Sequence, residues 1–287
     1  LATFSSGNRF ERAVVTRHVG AGIILADSPS AIDSSVLWSN GGFGLVVNGG
    51  SASMSNTIIS ADGSSSTNVC VNLSDSSLRA DFNNYVPFGD ARYVAAGGFV
   101  FDGLPQWTAF STQDVHSLSV DPRFFAPESN DFHVLSAHGR FDPVAGVFVT
   151  NDLEFSWMLD TGSTNTPVIL EPTPNGNRRN IGIHGNTREA SKSRTNEWIL
   201  AITGMAGGRL ENTFYLVWTY GNIAATNRVV LDYSVDGGLN WLPVASDVPI
   251  QDGQYLWDSL ETPPFISPIA KWRVMVSGQT NLVDETD

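Results

Sequence analysis

The chain is poor in lysine, cysteine, helical periodicity and long apolar runs, and each shortage narrows the reading. Of its 16 basic residues only Lys192 and Lys271 are lysines, against 29 acidic residues, for a formal net charge of −13. Nucleic acids and anionic membrane surfaces are held by clustered cations, so this balance argues against both as partners. Cys70 stands alone, which excludes an intrachain disulfide and a thiolate zinc site. It lies in the apolar run "NVCVNL", where a small buried hydrophobe is expected. No apolar stretch approaches the ~20 residues that a membrane helix needs, so membrane insertion is not expected. The chain opens at Leu1 without a methionine or signal segment, and reads as a mature product or a piece of something longer.

What the chain does have is glycine, proline and a repeat. Its 287 residues hold 27 Gly and 14 Pro at 41% hydrophobic content, which suits a turn-rich folded protein. "VVTRHVGAGIIL" (14–25) aligns without a gap on "VLWSNGGFGLVV" (36–47), an offset of 22 that places Val14 on Val36 and Ile24 on Val46. "TIISADGSSSTNVCV" (57–71) reads as a third copy with about two residues inserted, and "LRADFNNYVPF" (78–88) as the start of a fourth. Fixed periods of this length mark solenoids. Short β-branched runs between Gly, Ser, Asn and Asp predict strands bent at corners by residues that tolerate left-handed angles. The predicted fold is all-β: a right-handed parallel β-helix over 1–170 with irregular final coils and a short helix near 104–112. Asn40, Asn56, Asn83 and Asn84 fall at strand edges, as rungs of amide ladders or as plain turn residues.

From about Glu197 the pattern changes to alternating strands with turn residues every 10 to 14 positions, as in "EWILAITG", "NTFYLVWTYG", "RVVLDYSVDGGLNWLPVA", "GQYLWDS" and "AKWRVMVSG". An antiparallel β-sandwich over 197–287 is expected. Asp236-Gly237-Gly238 signals a hairpin, and "SVDGGLNW" resembles an Asp-box, which closes a turn and carries no chemistry. Trp218, Trp241, Trp257 and Trp272 lie in these strands and are expected mainly in the core. Between the domains, "EPTPNGNRRNIGIHGN" (171–186) looks at first like an anion cradle. A cradle needs a helix N-terminus, and none follows, so 171–196 reads as a crossing and linker. Arg178 and Arg179 are expected to pair with local carboxylates, and Ile181 and Ile183 to pin the crossing to the solenoid's end.

The stretches "WTAFSTQDVHSLSVDPRFF", "NDFHVLSAHGRFDPVAGVFV", "EPTPNGNRRNIGIHGNTREASKS" and "VVLDYSVDGGLNWLPVASDVPIQDGQYLWDS…WRVMVSG" resemble a group of modular secreted bacterial proteins. In that group a pectate-lyase-like right-handed parallel β-helix is followed by an Ig-like or fibronectin-III-like domain. The resemblance covers roughly residues 5 to 287 and implies an extracellular or cell-surface location. It also implies one further apolar strand at the end of the sandwich, so this one reads as lacking its last strand. The group includes polysaccharide lyases and hydrolases as well as adhesins. His184 and Asn186 depart from the aromatic and the glycine usual there.

Lyase chemistry needs a base for the C5 proton and cations to neutralise the uronate. Arg17, His18 and Glu11 are the catalytic candidates, and Arg12 and Trp38 the carbohydrate-binding ones. No paired carboxylates recur at the repeat offset, and no nucleophile elbow occurs. "DSPSAID" and "SVDGG" carry oxygen ligands that would suit calcium without the spacing of a calcium loop, and no other metal or cofactor is indicated. The expected function is a non-catalytic extracellular structural protein that assembles with copies of itself or with other segments of a longer chain through open strand edges. The alternative is a carbohydrate-active β-helix, a polysaccharide lyase, a glycoside hydrolase or a glycan-binding module, with polysaccharide as its partner.

Overall fold

The structure, a computed structural model, describes residues 2–3, 7–166, 168–202, 213–258, 267 and 269–286. It divides into two compact units, Leu1–Arg194 and Thr195–Asp287. The crossing residues 171–194 therefore belong to the first unit.

The strands of the first unit come in threes. β1 (Ala2–Thr3), β2 (Asn8–Glu11) and β3 (Val14–Thr16) are followed by β4 (Ile23–Ala26), β5 (Ser30–Asp33) and β6 (Val36–Trp38). Then come β7 (Leu45–Asn48), β8 (Ser51–Ser55), β9 (Ile58–Ala61), β10 (Val69–Ser74), β11 (Ser77–Asp81), β12 (Asn84–Pro87) and β13 (Arg92–Ala96). Every third strand pairs in parallel, giving the stacks β1-β4-β7-β10-β13, β2-β5-β8-β11 and β3-β6-β9-β12 of a β-solenoid of about 4 turns. The sequence repeat is the register: Val14 pairs with Val36 and Ile24 with Val46. Between the second and third coils the offset differs from the alignment. Ile58 still pairs with Val36, but Leu45 pairs with Val71, so the insertion is four residues rather than two, and it loops out between β9 and β10.

One corner of each coil turns through a single left-handed residue, in succession Arg12 (φ 53°), Ser34 (φ 52°), Asn56 (φ 50°) and Phe82 (φ 59°). Only Asn56 is of a type that adopts this conformation readily. The stacking register imposes it on the others. Beside this corner runs a polar ladder: Ser35 Oγ accepts from the backbone N–H of Ala13, Thr57 Oγ1 from Ser35, Asn83 Oδ1 from Thr57 and Ser117 Oγ from Asn83, at 2.9–3.3 Å. Asn83 is thus one rung of a mixed hydroxyl–amide ladder, while Asn40 accepts from the N–H of His18.

Inside the coils Leu25, Ile32, Leu37, Leu45, Met54, Ile59, Cys70 and Tyr85 form one core. β14 (Phe99–Phe101) pairs antiparallel with β13, and α1 (Leu104–Ser111) adds Leu104 and Trp107 to that core. Asp114, buried just beyond, accepts from Trp107 Nε1, Tyr85 OH, Asn83 Nδ2 and Ser117 Oγ. Two hairpins follow, β15 (Phe124–Ala126) with β16 (Asp131–Val134) and β17 (Arg140–Asp142) with β18 (Val147–Val149).

The crossing does not sit at the solenoid's end. It runs back along the corner column as a strap. Arg178 lies over the Phe82 ring at 5.7 Å, the Gly182 N–H donates to Asn56 O, and Arg179 donates to Ser34 Oγ. Finally Arg12 Nη2 donates to Gly185 O at 3.1 Å, so the strap touches all four corner residues in reverse order. Ile181 is buried, and its N–H donates to Met158 O. Glycine is required at 185, where a Cβ would fall 2.1 Å from Asn180 O.

The second unit contains β19 (Trp198–Ile202), β20 (Thr213–Gly221), β21 (Arg228–Ser234), β22 (Leu242–Pro249), β23 (Gln254–Asp258), β24 (Lys271–Val276) and β25 (Val283–Glu285). They form two antiparallel sheets, β19-β20-β23 and β22-β21-β24-β25, which share one core around Leu216, Trp218, Leu231 and Val274. The last two residues of "EWILAITG", the first of "NTFYLVWTYG" and the last of "GQYLWDS" lie outside the described residues. The "SVDGG" turn joins β21 to β22, with Asp236 accepting from Asn240 and Ser234; the amide of Asn240 and these other donors hold its carboxyl down to about 2. Trp218 and Trp272 are buried, while Trp241 is stacked with Arg273 at 4.3 Å. Past Ser277 the chain adds β25 to the edge of β24.

Candidate functional site

An open depression of the first unit follows the outer face of the β2-β5-β8-β11 sheet. Residues alternate across that sheet: Ile32, Met54 and Ala80 point inward, while Arg9, Ala31, Ser53 and Arg79 share one outward column. Small residues between two arginines leave a trough of about 630 Å³ lined by Arg9, Ser30, Ser51, Ser53, Ser77 and Arg79, among others. A second hollow of about 390 Å³ shares Ser53 and Arg79 with it and continues past Asp81, Thr112, Gln113 and Asn165. Arg9 is bound to Glu11 at 3.0 Å. Arg79 is exposed, and its side chain makes no hydrogen bond or ion pair among the described residues. At the far wall His116 Nδ1 lies 2.8 Å from Asp81 Oδ2, and its ring is stacked on Phe82.

The candidates drawn from the sequence lie elsewhere, and neither hollow is lined by any of them. Glu11 joins Arg9 and Arg12, and Arg12 reaches the strap carbonyls of Gly185 and Asn186. Arg17 sits at the opposite end of β3 and donates to Glu128 O and Asn130 Oδ1 of the hairpin region. His18 is exposed beside it. Trp38 is held edge-on between Phe88 and Phe124, at 5.3 and 5.0 Å. The structure does not bring Arg17, His18 and Glu11 into one cleft. Of the two stretches with calcium-type oxygens, Asp33 receives hydrogen bonds from Asn56, Ser55 and Ser34 and faces Arg179. Burial pushes its carboxyl up, but these donors and the guanidinium together hold it below the usual range.

The strap gathers the titratable groups that the repeat does not use. Glu171 Oε1 accepts from the N–H groups of Asn180 and Asn186, while its buried Oε2 has no hydrogen-bond partner. Burial pushes this carboxyl up to about 7, and that of Asp160, which accepts from Ser193 Oγ, up to about 6. Arg179 meets Asp33, so its carboxylate partner is 146 residues away rather than local, and Arg178 donates to the carbonyls of Thr161 and Gly162. His133, His184 and Glu189 converge where the strap passes β16: the two imidazoles are stacked at 3.6 Å, and Glu189 Oε2 lies 3.9 Å from His133 Nε2 and 3.8 Å from His184 Nδ1. Burial, with the neighbouring His133, pushes the His184 imidazole down to about 3. His133 is buried, and its spacing from His184 gave no local signal in the sequence.

No helix among the described residues is long and apolar enough to cross a membrane. No family model, no curated protein and no solved structure matches the chain; of the expected architecture the structure shows the parallel β-solenoid, formed by strands within residues 2–96.

Proposed function

We propose that the protein is a non-catalytic, extracellular or cell-surface protein of a bacterium whose solenoid face binds a glycan chain. The observation that carries this reading is the trough on the β2-β5-β8-β11 sheet with the uncommitted guanidinium of Arg79 at the end where it meets the second hollow. Hydroxyl-bearing Ser51, Ser53 and Ser77 suit a polyhydroxylated ligand, and successive strands about 4.8 Å apart offer a repeating surface to a repeating polymer. The structural reading is supported by Arg12 and Arg17, which hold the strap and the hairpins to the first coil rather than facing a ligand. We read the solenoid as right-handed and pectate-lyase-like, because parallel crossovers are overwhelmingly of that hand. The second unit, two antiparallel sheets on one core, reads as an Ig- or fibronectin-III-like sandwich. Self-association through the outer strand edges is part of the same proposal.

The test is affinity electrophoresis and glycan-array binding of the full chain, with light scattering of the same sample to read self-association. Arg79→Ala is expected to weaken binding about tenfold, and Ser53→Trp, which fills the trough, to abolish it. Binding unchanged by both substitutions, or no binding to any glycan, removes the reading. Unsaturated products released from a uronate polymer would replace it with a lyase.

A further inference from the structure

We infer that His133, His184 and Glu189 form a binding site for one borderline divalent cation of the zinc type. Two separate pieces of chain are brought together to make it. β16 carries His133, the turn after Ile181 carries His184, and the last stretch of the strap carries Glu189. Ser191 Oγ donates to Val134 O at 2.6 Å and Asn180 Nδ2 to Ser191 O at 2.8 Å, so the strap is fastened directly beside His133. Thr187 closes the intervening turn, donating from N and Oγ1 to His184 O and accepting the N–H of Glu189. Nitrogen and oxygen ligands in this set favour zinc-like ions over calcium or magnesium, which prefer oxygen alone.

His133 is the observation that points to a ligand. Its side chain is 4% exposed, and Nδ1 lies 2.6 Å from Asp131 Oδ1, which also accepts the His133 backbone N–H at 3.0 Å. A carboxylate at Nδ1 fixes the proton there and leaves the Nε2 lone pair bare. That Nε2 is buried with no hydrogen-bond partner, which is costly for a polar atom unless something occupies the site. Glu189 Oε2 lies 3.9 Å from it, and the His184 ring is stacked alongside. A carboxylate behind a ligating histidine is the usual support for a metal ligand, since it sets the tautomer and raises basicity.

The ligand atoms all lie within 4.8 Å of one another. Bonds of about 2.0–2.2 Å to zinc bring tetrahedral ligand atoms to roughly 3.4 Å, so a contraction is needed. The imidazoles are nearly parallel, at 16°, so their in-plane lone pairs run side by side rather than converging. Binding therefore requires His184 to tilt out of the stack. His184 and Glu189 have the room, with side chains 21% and 50% exposed against 4% for His133. Three protein ligands leave a fourth position for water or for a ligand oxygen.

The experiment is calorimetric titration of the full chain with ZnCl2, paralleled by the visible absorption of Co2+ as a stand-in for zinc. One ion per chain is expected, with the intense visible bands of four-coordinate Co2+. His184→Phe, which keeps the ring stack but removes the ligand, is expected to abolish those bands. Glu189→Gln, at an exposed position, is expected to weaken binding at least tenfold, and Asp131→Asn to weaken it 10–100-fold. Circular dichroism of each variant separates loss of a ligand from loss of the fold. Absence of saturable binding to the folded wild-type chain overturns the site. So does binding that survives His184→Phe and is lost in His116→Ala, which would place the ion on the exposed His116–Asp81 pair instead.

Discussion

The coils and the strap lie against each other along one column of corners, yet they are held in opposite ways. In the coils each residue repeats the environment of the one below it, so apolar side chains and backbone ladders carry most of the structure. The strap has no repeat, and no strand among the described residues of 158–190, so each of its buried backbone groups needs its own partner. Those partners are charged or ionisable: Arg178 and Arg179 on carbonyls and hydroxyls, Glu171 on two backbone N–H groups, Asp160 on Ser193. Stacking makes a structure that is indifferent to pH. Individually tailored contacts make one that responds to it.

Truncating the coil core tests the first half of that contrast. Leu37 is fully buried among the residues of adjacent coils, and Leu37→Ala is expected to cost about 2–5 kcal/mol. Denaturant unfolding at pH 5 and at pH 8 should give the same loss. A loss that differs between the two would mean that the coils and the strap titrate as one element.

Glu171→Gln tests the second half. The folded carboxyl titrates near 7 against 4.5 for the free group, so its protonated form is favoured by folding. The stability it contributes is fully present below about 4.5 and is lost as the pH rises through about 7. Glutamine keeps an oxygen for Asn180 and Asn186 and carries no charge. The variant should match the wild type near pH 4.5 and exceed it at pH 8 by on the order of 3 kcal/mol, at about 1.4 kcal/mol per pKa unit. The remaining slope should come from Asp160, which loses stability between 3.8 and about 6, and from His184, which gains it between about 3 and 6.5. Thermal melts across pH 4 to 8 read this, and equal melting temperatures at pH 8 would contradict it.

The same contrast explains what could be read from the residues alone. The coils were legible because stacking writes their register into the sequence: Val14 above Val36 shows in the chain itself as a 22-residue repeat. Even there the insertion before Val71 was misjudged, because Ser, Asn and Gly in the loop resemble corner residues. The strap was legible only as an interruption. Nothing in "EPTPNGNRRNIGIHGN" says that Arg179 meets Ser34 or that Gly185 meets Arg12, since those contacts span about 145 residues or more and occur once. The arginines and histidine chosen from the first coil were sought for their chemistry, and Arg12 and Arg17 serve as anchors. The trough was missed because its lining is serine and alanine, which reads as ordinary outward alternation. His133 beside His184 was missed for the same reason as the strap.

The polar ladder inside the coils is where the contrast can be made sharpest, because it places single polar contacts within the repeating part. Thr57 Oγ1 accepts the Ser35 N–H at 3.3 Å and donates to Ser55 O at 2.9 Å. Thr57→Val keeps the shape and removes both bonds. Ser55 O retains the Ser34 N–H as a donor, so a single buried group, the Ser35 N–H, is left without a partner. Such an orphan costs about 1–2 kcal/mol, and as an amide it does not titrate, so the loss should be the same at pH 5 and pH 8. Thr57→Ser, which restores the oxygen, should recover most of it. If Thr57→Val costs less than about 0.5 kcal/mol, the rung follows from stacking that apolar contacts already fix. The polar contacts that matter would then be confined to the strap.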